Sequence, residues 1–249
     1  DPRGELYKEF SRLVDIIKPR FVIGENVQGI LKRRDNDGKL ILNKILHKFE
    51  DIGYDMEYKI LKCEDFGIPQ IRRRVFFVAA RDFKISADMI PDGNGKTTTI
   101  RDIVELNLED AIVVQKQKFI EMVPFNKIIQ ISNSDEKLTG NPPLNLRKCY
   151  NEEKKLGISF GKRSKSTYSC VEDIDNFSHT IQCTYNRMPR LFIPLKKDNI
   201  LYFRTYTLKE LSQIQGFKKD YYFHGEKSSV IKQIGNAVPP AVVTTVVSS

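Results

Sequence analysis

Apolar residues recur at helical spacing at Leu6, Phe10, Leu13, Val14 and Ile17 and stop at Pro19. This spacing predicts an amphipathic helix over residues 5–18 whose apolar face needs a sheet. Phe21-Val22-Ile23-Gly24 follows as a short continuous apolar run ending in Glu25-Asn26. It reads as a buried parallel strand with polar residues at its carboxyl end, the end at which open α/β sheets take ligands. Ile41, Ile45, Leu46 and Phe49 mark a second helix closed by Gly53; alternating Met56, Tyr58 and Ile60 and then the run Val75 to Ala80 predict two more strands. Residues 1–82 therefore read as α/β.

From Asp88 to Tyr202 the periodicity weakens, turn formers accumulate (Pro91-Asp92-Gly93, Gly140-Asn141-Pro142-Pro143), and basic, aromatic and hydroxyl residues interleave, as expected of a separate loop-rich unit. Helical pattern returns at Leu208, Leu211 and Ile214, and Pro239-Pro240-Ala241-Val242-Val243 places proline where a helix begins. No repeat is visible, and no apolar run approaches the ~18 residues of a membrane helix.

Composition narrows the class. Within 249 residues, 29% charged and 40% hydrophobic residues are an ordinary globular mixture, sufficient for one or two domains. The balance of 41 basic against 32 acidic residues gives a net charge of +9, which favours polyanionic partners such as nucleic acid. Cys63, Cys149, Cys170 and Cys183 have no metal-ligand spacing and are expected to be reduced and intracellular; no metal is expected.

Four separated pieces carry the chemistry. They are Asp1-Pro2-Arg3-Gly4-Glu5-Leu6 leading to Glu25-Asn26-Val27; Gly67-Ile68-Pro69-Gln70-Ile71-Arg72-Arg73-Arg74; Arg204 to Thr207 with Glu210 and Gln215-Gly216-Phe217; and Gln233-Ile234-Gly235-Asn236-Ala237-Val238-Pro239-Pro240. Each alone is weak, since an arginine run is usually a solvated surface and a glutamate at a strand end is usually solvated. In this order and spacing, over residues 1–82 and 200–249, they resemble the cytosine-5 DNA methyltransferase family.

The resemblance implies an α/β fold, part of a Rossmann-like sheet dependent on S-adenosylmethionine, with a smaller loop-rich target-recognition domain. Residues 1–103 would be the C-terminal part of the catalytic domain, 104–205 the target-recognition domain, and 206–249 a hinge and return segment. In the family's reaction a cysteine thiolate adds to carbon 6 of a flipped-out cytosine, and carbon 5 then takes the methyl group. The charge that develops on the ring calls for a carboxyl group at ring nitrogen 3 and a cation near the ring carbonyl. Glu25 suits the first role, and Arg74, with Arg72, the second. An extended segment puts Gln70, Arg72 and Arg74 on one face and Arg73, read as structural, on the other.

Leu6 would pack on the cofactor's adenine, while Asn236 and Ala237 would close its pocket, with Gly235 letting backbone approach the ligand. Asn26 is either a turn residue or part of the site. Gln70, Lys162, Arg163, Lys165, Thr180, Gln182, Tyr185, Asn186, Arg187 and Arg190 are the candidates for duplex DNA. His179 reads as structural or as a phosphate contact.

The departures carry equal weight. The family's glycine-rich cofactor loop is not in this sequence, the nearest candidate, Gly93-Asn94-Gly95, following no strand, and none of the four cysteines follows a proline. The sequence opens within the Asp-x-Arg-Gly motif, so on the order of 70 to 100 further residues are expected. The reading is thus a modification methylase of which this chain, inactive alone, supplies the acid, the arginine and specificity. A non-catalytic specificity subunit that needs a complementary chain and a tRNA cytosine-5 methyltransferase are the rivals.

Overall fold

The computed structural model describes residues 6–133, 135–151, 157–163, 168–187 and 189–249. The first unit is a sheet of β1 (Phe21–Val27), β2 (Asp55–Lys62) and β3 (Arg73–Ala80) in the order β1-β3-β2. Helix α1 (Leu6–Ile17) and helix α2 (Ile41–Asp51) follow the apolar periodicity closely. They cover the face built by Val22, Val75, Phe77 and Ala79, with Val14, Ile41, Leu42, Ile45 and Phe49 packed against it. The opposite face, with Phe76 and Leu61, is covered by Phe66, Ile68 and the last helix of the chain.

Strand β1 departs from expectation. It pairs antiparallel with β3, Phe21 opposite Ala80 through Val27 opposite Arg74, and only Val22 along it is fully buried. A short apolar run does not encode strand direction; β1 and β2 do run the same way, but β3 lies between them with opposite sense.

The middle of the chain is richer in strands than its weak periodicity suggested. Strands β4 (Ile112–Val113), β5 (Ile129–Gln130), β6 (Ile158–Phe160), β7 (Ser169–Val171), β8 (Leu191–Lys197) and β9 (Ile200–Thr205) form one six-stranded mixed sheet, joined by helices α3 (Gln117–Met122) and α4 (Leu144–Asn151). β8 and β9 are a hairpin whose turn residues Asp198 and Asn199 both have positive φ, the geometry of a primed two-residue turn. The sheet is buried on both faces, Leu191, Ile193 and Leu195 on one and Phe192 and Phe203 on the other, which erases the polar alternation that marks a one-sided strand.

Three helices end the chain: α5 (Leu208–Ile214), α6 (Lys227–Asn236) and α7 (Pro240–Ser248). Leu211, Ile214, Val230, Ile231 and Ile234 share a core with the second sheet, whereas Val242 and Val246 pack on the first, so the terminal segment ties the two units together. By length and composition Lys227–Ser248 would pass as a membrane span. Those residues form two helices separated at 237–239, and their apolar side chains fill both cores.

The junction of β9 and α5 is held by a buried ion pair. Arg204 Nη1 and Nη2 donate to Glu210 Oε2 and Oε1 at 2.8 and 2.7 Å, and the remaining donors reach the carbonyls of Thr205, Glu105 and Asn107. Glu210 also accepts from the backbone of Thr207 and Glu105 and closes a capping box with Thr207. Because removing one partner strands a buried charge, Glu210→Gln should lower unfolding free energy by about 3–5 kcal/mol in urea titrations, while an exposed acid such as Glu9 changed to Gln should have almost no effect.

Candidate active site

Residues 25 and 74 lie on adjacent strands. The register sets Glu25 opposite Phe76 and Val27 opposite Arg74, so Glu25 and Arg74 are diagonal neighbours on one face of the sheet. Arg74 Nε meets Glu25 Oε1 at 2.8 Å, with both side chains mostly buried, and Arg74 Nη1 donates to the Arg73 carbonyl at 2.8 Å. The guanidinium is thereby held at its carboxylate partner and at the backbone. Asn26 caps its own strand end, its Oδ1 accepting from the Val27 N–H.

Beside this pair opens a cleft of about 400 Å³ lined by Leu6, Phe10, Gly24, Glu25, Asn26 and Met56 among others. Its walls are apolar, with one carboxylate and one amide at the rim, which suits one flank of a planar heterocycle. Asn236 and Ala237 are not among its lining residues. Ala237 instead gives its carbonyl to Gln215 Nε2 at 2.5 Å, and Asn236 is exposed. Gly235 lies inside α6, and a Cβ there would meet Cys183 N at 2.5 Å and Cys183 Cα at 2.6 Å: the close approach is to backbone of this chain. Gly93 likewise serves packing, since a Cβ there would lie 2.3 Å from the Asp65 carbonyl oxygen.

Two members of the expected arginine face have other work. Gln70 is fully buried and cannot touch DNA; its amide bonds Ile214, Gln215 and Ile181. Arg72 is also buried, its guanidinium directed at the carbonyls of Ile181, Gly235 and Ala237 at 3.3–3.4 Å, so it braces the site from behind. Burial lowers the Arg72 pKa to about 10, with Arg74 nearby adding to the effect.

Of the DNA candidates, Lys162, Thr180, Gln182, Asn186 and Arg187 are exposed. Thr180 is partly committed, its Oγ1 donating to the Ile71 carbonyl at 2.6 Å. Tyr185 is a core residue: its hydroxyl donates to the Leu191 carbonyl and accepts from the Tyr206 N–H. Half-buried Arg163 donates to the Tyr168 carbonyl, Arg190 is also half-buried, and Lys165 lies outside the described residues, as does the Asp1–Glu5 motif.

Cys63, Cys149 and Cys170 are buried and Cys183 is exposed. Burial pushes the thiols of Cys63 and Cys170 up to about 12, although Arg72 and Arg74 lie close enough to Cys63 to oppose the shift. Cys170, Glu172 and His179 come close enough to hold a metal ion. Glu172 here accepts from Ser178, His179 and Tyr206. His179 Nδ1 lies 2.8 Å from Glu172 Oε2.

Sequence reasoning missed the partners of Gln70, which lie more than 100 residues away, and the contact of Gly235 with Cys183. The Thr207-x-x-Glu210 spacing was a legible sign of a capping box.

The family model for C-5 cytosine-specific DNA methylase matches residues 1–249. The type II methyltransferase M1.HphI of Haemophilus parahaemolyticus is 27% identical over 99% of this chain, which spans 60% of that protein. M.MthTI of Methanothermobacter thermautotrophicus is 29% identical over 96%, and the chain spans 68% of it. Among solved structures, a DNA modification methyltransferase encoded within an E. coli prophage superposes with TM-score 0.63 at 24% identity, covering all of this chain and 76% of that one. A DNMT2 variant of Spodoptera frugiperda superposes with TM-score 0.57 at 15% identity, covering 96% of this chain and 69% of that one. The paired Glu25 and Arg74 and the interlocked motifs around them thus stand within a match that runs the full length of the sequence, and the chain belongs to the C-5 cytosine-specific DNA methylase family.

Proposed function

We propose that this chain is the acid-bearing and sequence-reading portion of a DNA cytosine-5 methyltransferase of the modification type. Residues 1–103 belong to its catalytic domain, 104–205 form the target-recognition domain, and 206–249 return to the catalytic sheet. The observation that carries the reading is the Glu25–Arg74 pair at 2.8 Å at the rim of an apolar cleft. A flipped cytosine entering there exchanges this pair for its own ring. The Glu25 carboxyl holds a proton at ring nitrogen 3, and Arg74, fixed by the Arg73 carbonyl, faces the ring carbonyl where negative charge gathers. Arg72 keeps that strand end seated against α6. Lys162, Thr180, Gln182, Asn186 and Arg187 are the exposed groups available to phosphates and base edges.

S-adenosylmethionine, the family's methyl donor, supplies the methyl group when bound, with Leu6 and Phe10 as an apolar wall on one flank. The glycine-rich turn and the nucleophilic cysteine are assigned to polypeptide outside this sequence. This is supported by three buried cysteines, two with strongly raised thiol pKa values, and by a fourth whose backbone is pressed against Gly235. It is supported too by large apolar side chains on the surface of the first unit, where Leu6, Ile16, Ile17 and Phe21 are each more than half exposed.

Titration of the native chain with a thiol-specific alkylating reagent at pH 8 should label Cys183 and leave the other three until denaturant is added. Rapid native labelling of Cys63 would reopen the nucleophile assignment. The pure chain should move no labelled methyl group to duplex DNA or tRNA, and its affinity for duplex should fall steeply with salt. In a methylating protein that contains this chain, Glu25→Gln should slow single-turnover transfer by on the order of 10²-fold with duplex binding little changed. Arg187→Ala should instead weaken binding or relax sequence choice. Parent-rate transfer by the Glu25 variant defeats the role assigned to it, and transfer to tRNA in preference to duplex DNA would favour the RNA reading.

A further inference from the structure

The segment that begins at Ser178 and leads to the exposed residues 180–187 is sewn onto the approach to β3. Ser178 N–H donates to the Pro69 carbonyl at 2.9 Å, and Ile71 N–H donates to the Ser178 carbonyl at 2.8 Å, a parallel bridge centred on Gln70 and Ser178. Thr180 Oγ1 adds its bond to the Ile71 carbonyl, and the next N–H, that of Ile181, is buried away from any neighbouring strand. Its acceptor is Gln70 Oε1 at 3.1 Å. The other end of the same amide, Nε2, donates to the Ile214 carbonyl at 2.9 Å and to Gln215 Oε1 at 3.0 Å. One side chain thus clamps the 178–183 segment to the C-terminus of α5, with the strand of Arg74 starting three residues further on.

The backbone bridge and the Thr180 bond hold the segment at Ser178 and Thr180, and Gln70 extends the hold to Ile181 and onward to the end of α5. Arg72 reaches the Ile181 carbonyl at 3.4 Å, and Gln215 faces Ala237 and Gln70. On the far side Gly235 lets Gln182 and Cys183 lie directly against α6, so the segment is held between helix and clamp with little room to slide. Arg74, the β3 member of the Glu25–Arg74 pair, follows Gln70 by four residues along the chain, and Thr180 and Gln182 are the exposed members of the clamped segment.

We propose that Gln70 is a positioning residue: its amide locks the 178–183 segment in register with the strand of Arg74, so that the groups reading DNA and the groups receiving the flipped base keep one fixed separation. The proposal rests on the function proposed above for its DNA consequence, but the lock itself is a property of this chain.

The test compares Gln70→Met, similar in length and without an amide, with Gln215→Met, which leaves the bond to Ile181 in place. Amide hydrogen exchange on the pure chain should quicken at least tenfold at Ile181 and Ile71 in Gln70→Met, with the β3 amides of Phe76 and Val78 unchanged; Gln215→Met should leave Ile181 near the parent rate. Selection from a randomised duplex pool reads the consequence. The parent enriches a preferred sequence, and Gln70→Met should flatten that preference by on the order of tenfold, the scale of a lost base contact, while the salt dependence of binding keeps the parent slope.

Unchanged exchange at Ile181 in Gln70→Met overturns the lock, as does loosening spread evenly over the chain or an equal effect from Gln215→Met. Local loosening with an unflattened preference overturns the positioning role. A parent that binds no duplex defeats the DNA reading of the proposed function, and with it the positioning role, while the exchange data still decide the lock.

Discussion

A salt bridge sealed from water at Arg204 and Glu210 is the constraint on which the arrangement of the two sheets depends. A guanidinium and a carboxylate are expensive to bury, and they are tolerated here because nearly every donor and acceptor finds a partner in three separate segments: residues 105–107, the end of β9 and the first turn of α5. The pair fixes where α5 leaves the second sheet. Helix α5 then presents Ile214, Gln215 and Gly216 to the approach of β3, where Ile68 Cδ1 lies only 3.0 Å from the place a Cβ on Gly216 would take. Position 216 combines that contact with a φ of +90°, two independent reasons for glycine.

The two sheets differ in the polar groups they hold. The smaller sheet keeps a carboxylate and a guanidinium in contact at a strand end, mostly sheltered from solvent. The larger sheet is buried on both faces, and exposed turns project from it. Arg72 and Gln70, which look like site residues from their place in an arginine-rich run, belong to the joint between the two.

Much of the first unit was legible because its helices bury one stripe each, and Val14, Ile41, Ile45 and Phe49 keep the spacing that burial demands. Glu25 and Arg74 were legible through motif order alone; their contact depends on an antiparallel register that a four-residue apolar run does not specify. The second sheet was obscured for the opposite reason, since Leu191 through Leu195 are buried on both sides and show no alternation to read. Tyr185 and Gln70 were misplaced because a polar side chain near basic residues looks available until its partners are known. Those partners, Leu191 and Tyr206 in one case and Ile214 and Ile181 in the other, are brought together only by the fold.

The contact at Gly235 separates what this chain is free to change over generations from what it must inherit together. Backbone at 182–183 touches the place where a side chain at 235 would begin, so drift at either position demands an answer from the other. Around Tyr185, which is anchored in the core, Thr184, Asn186 and Arg187 are exposed, and the Arg187 N–H bonds back to the Thr184 carbonyl. Substitution is therefore accommodated most readily at Thr184, Asn186 and Arg187, while Tyr185 and the ground beneath it stay as they are.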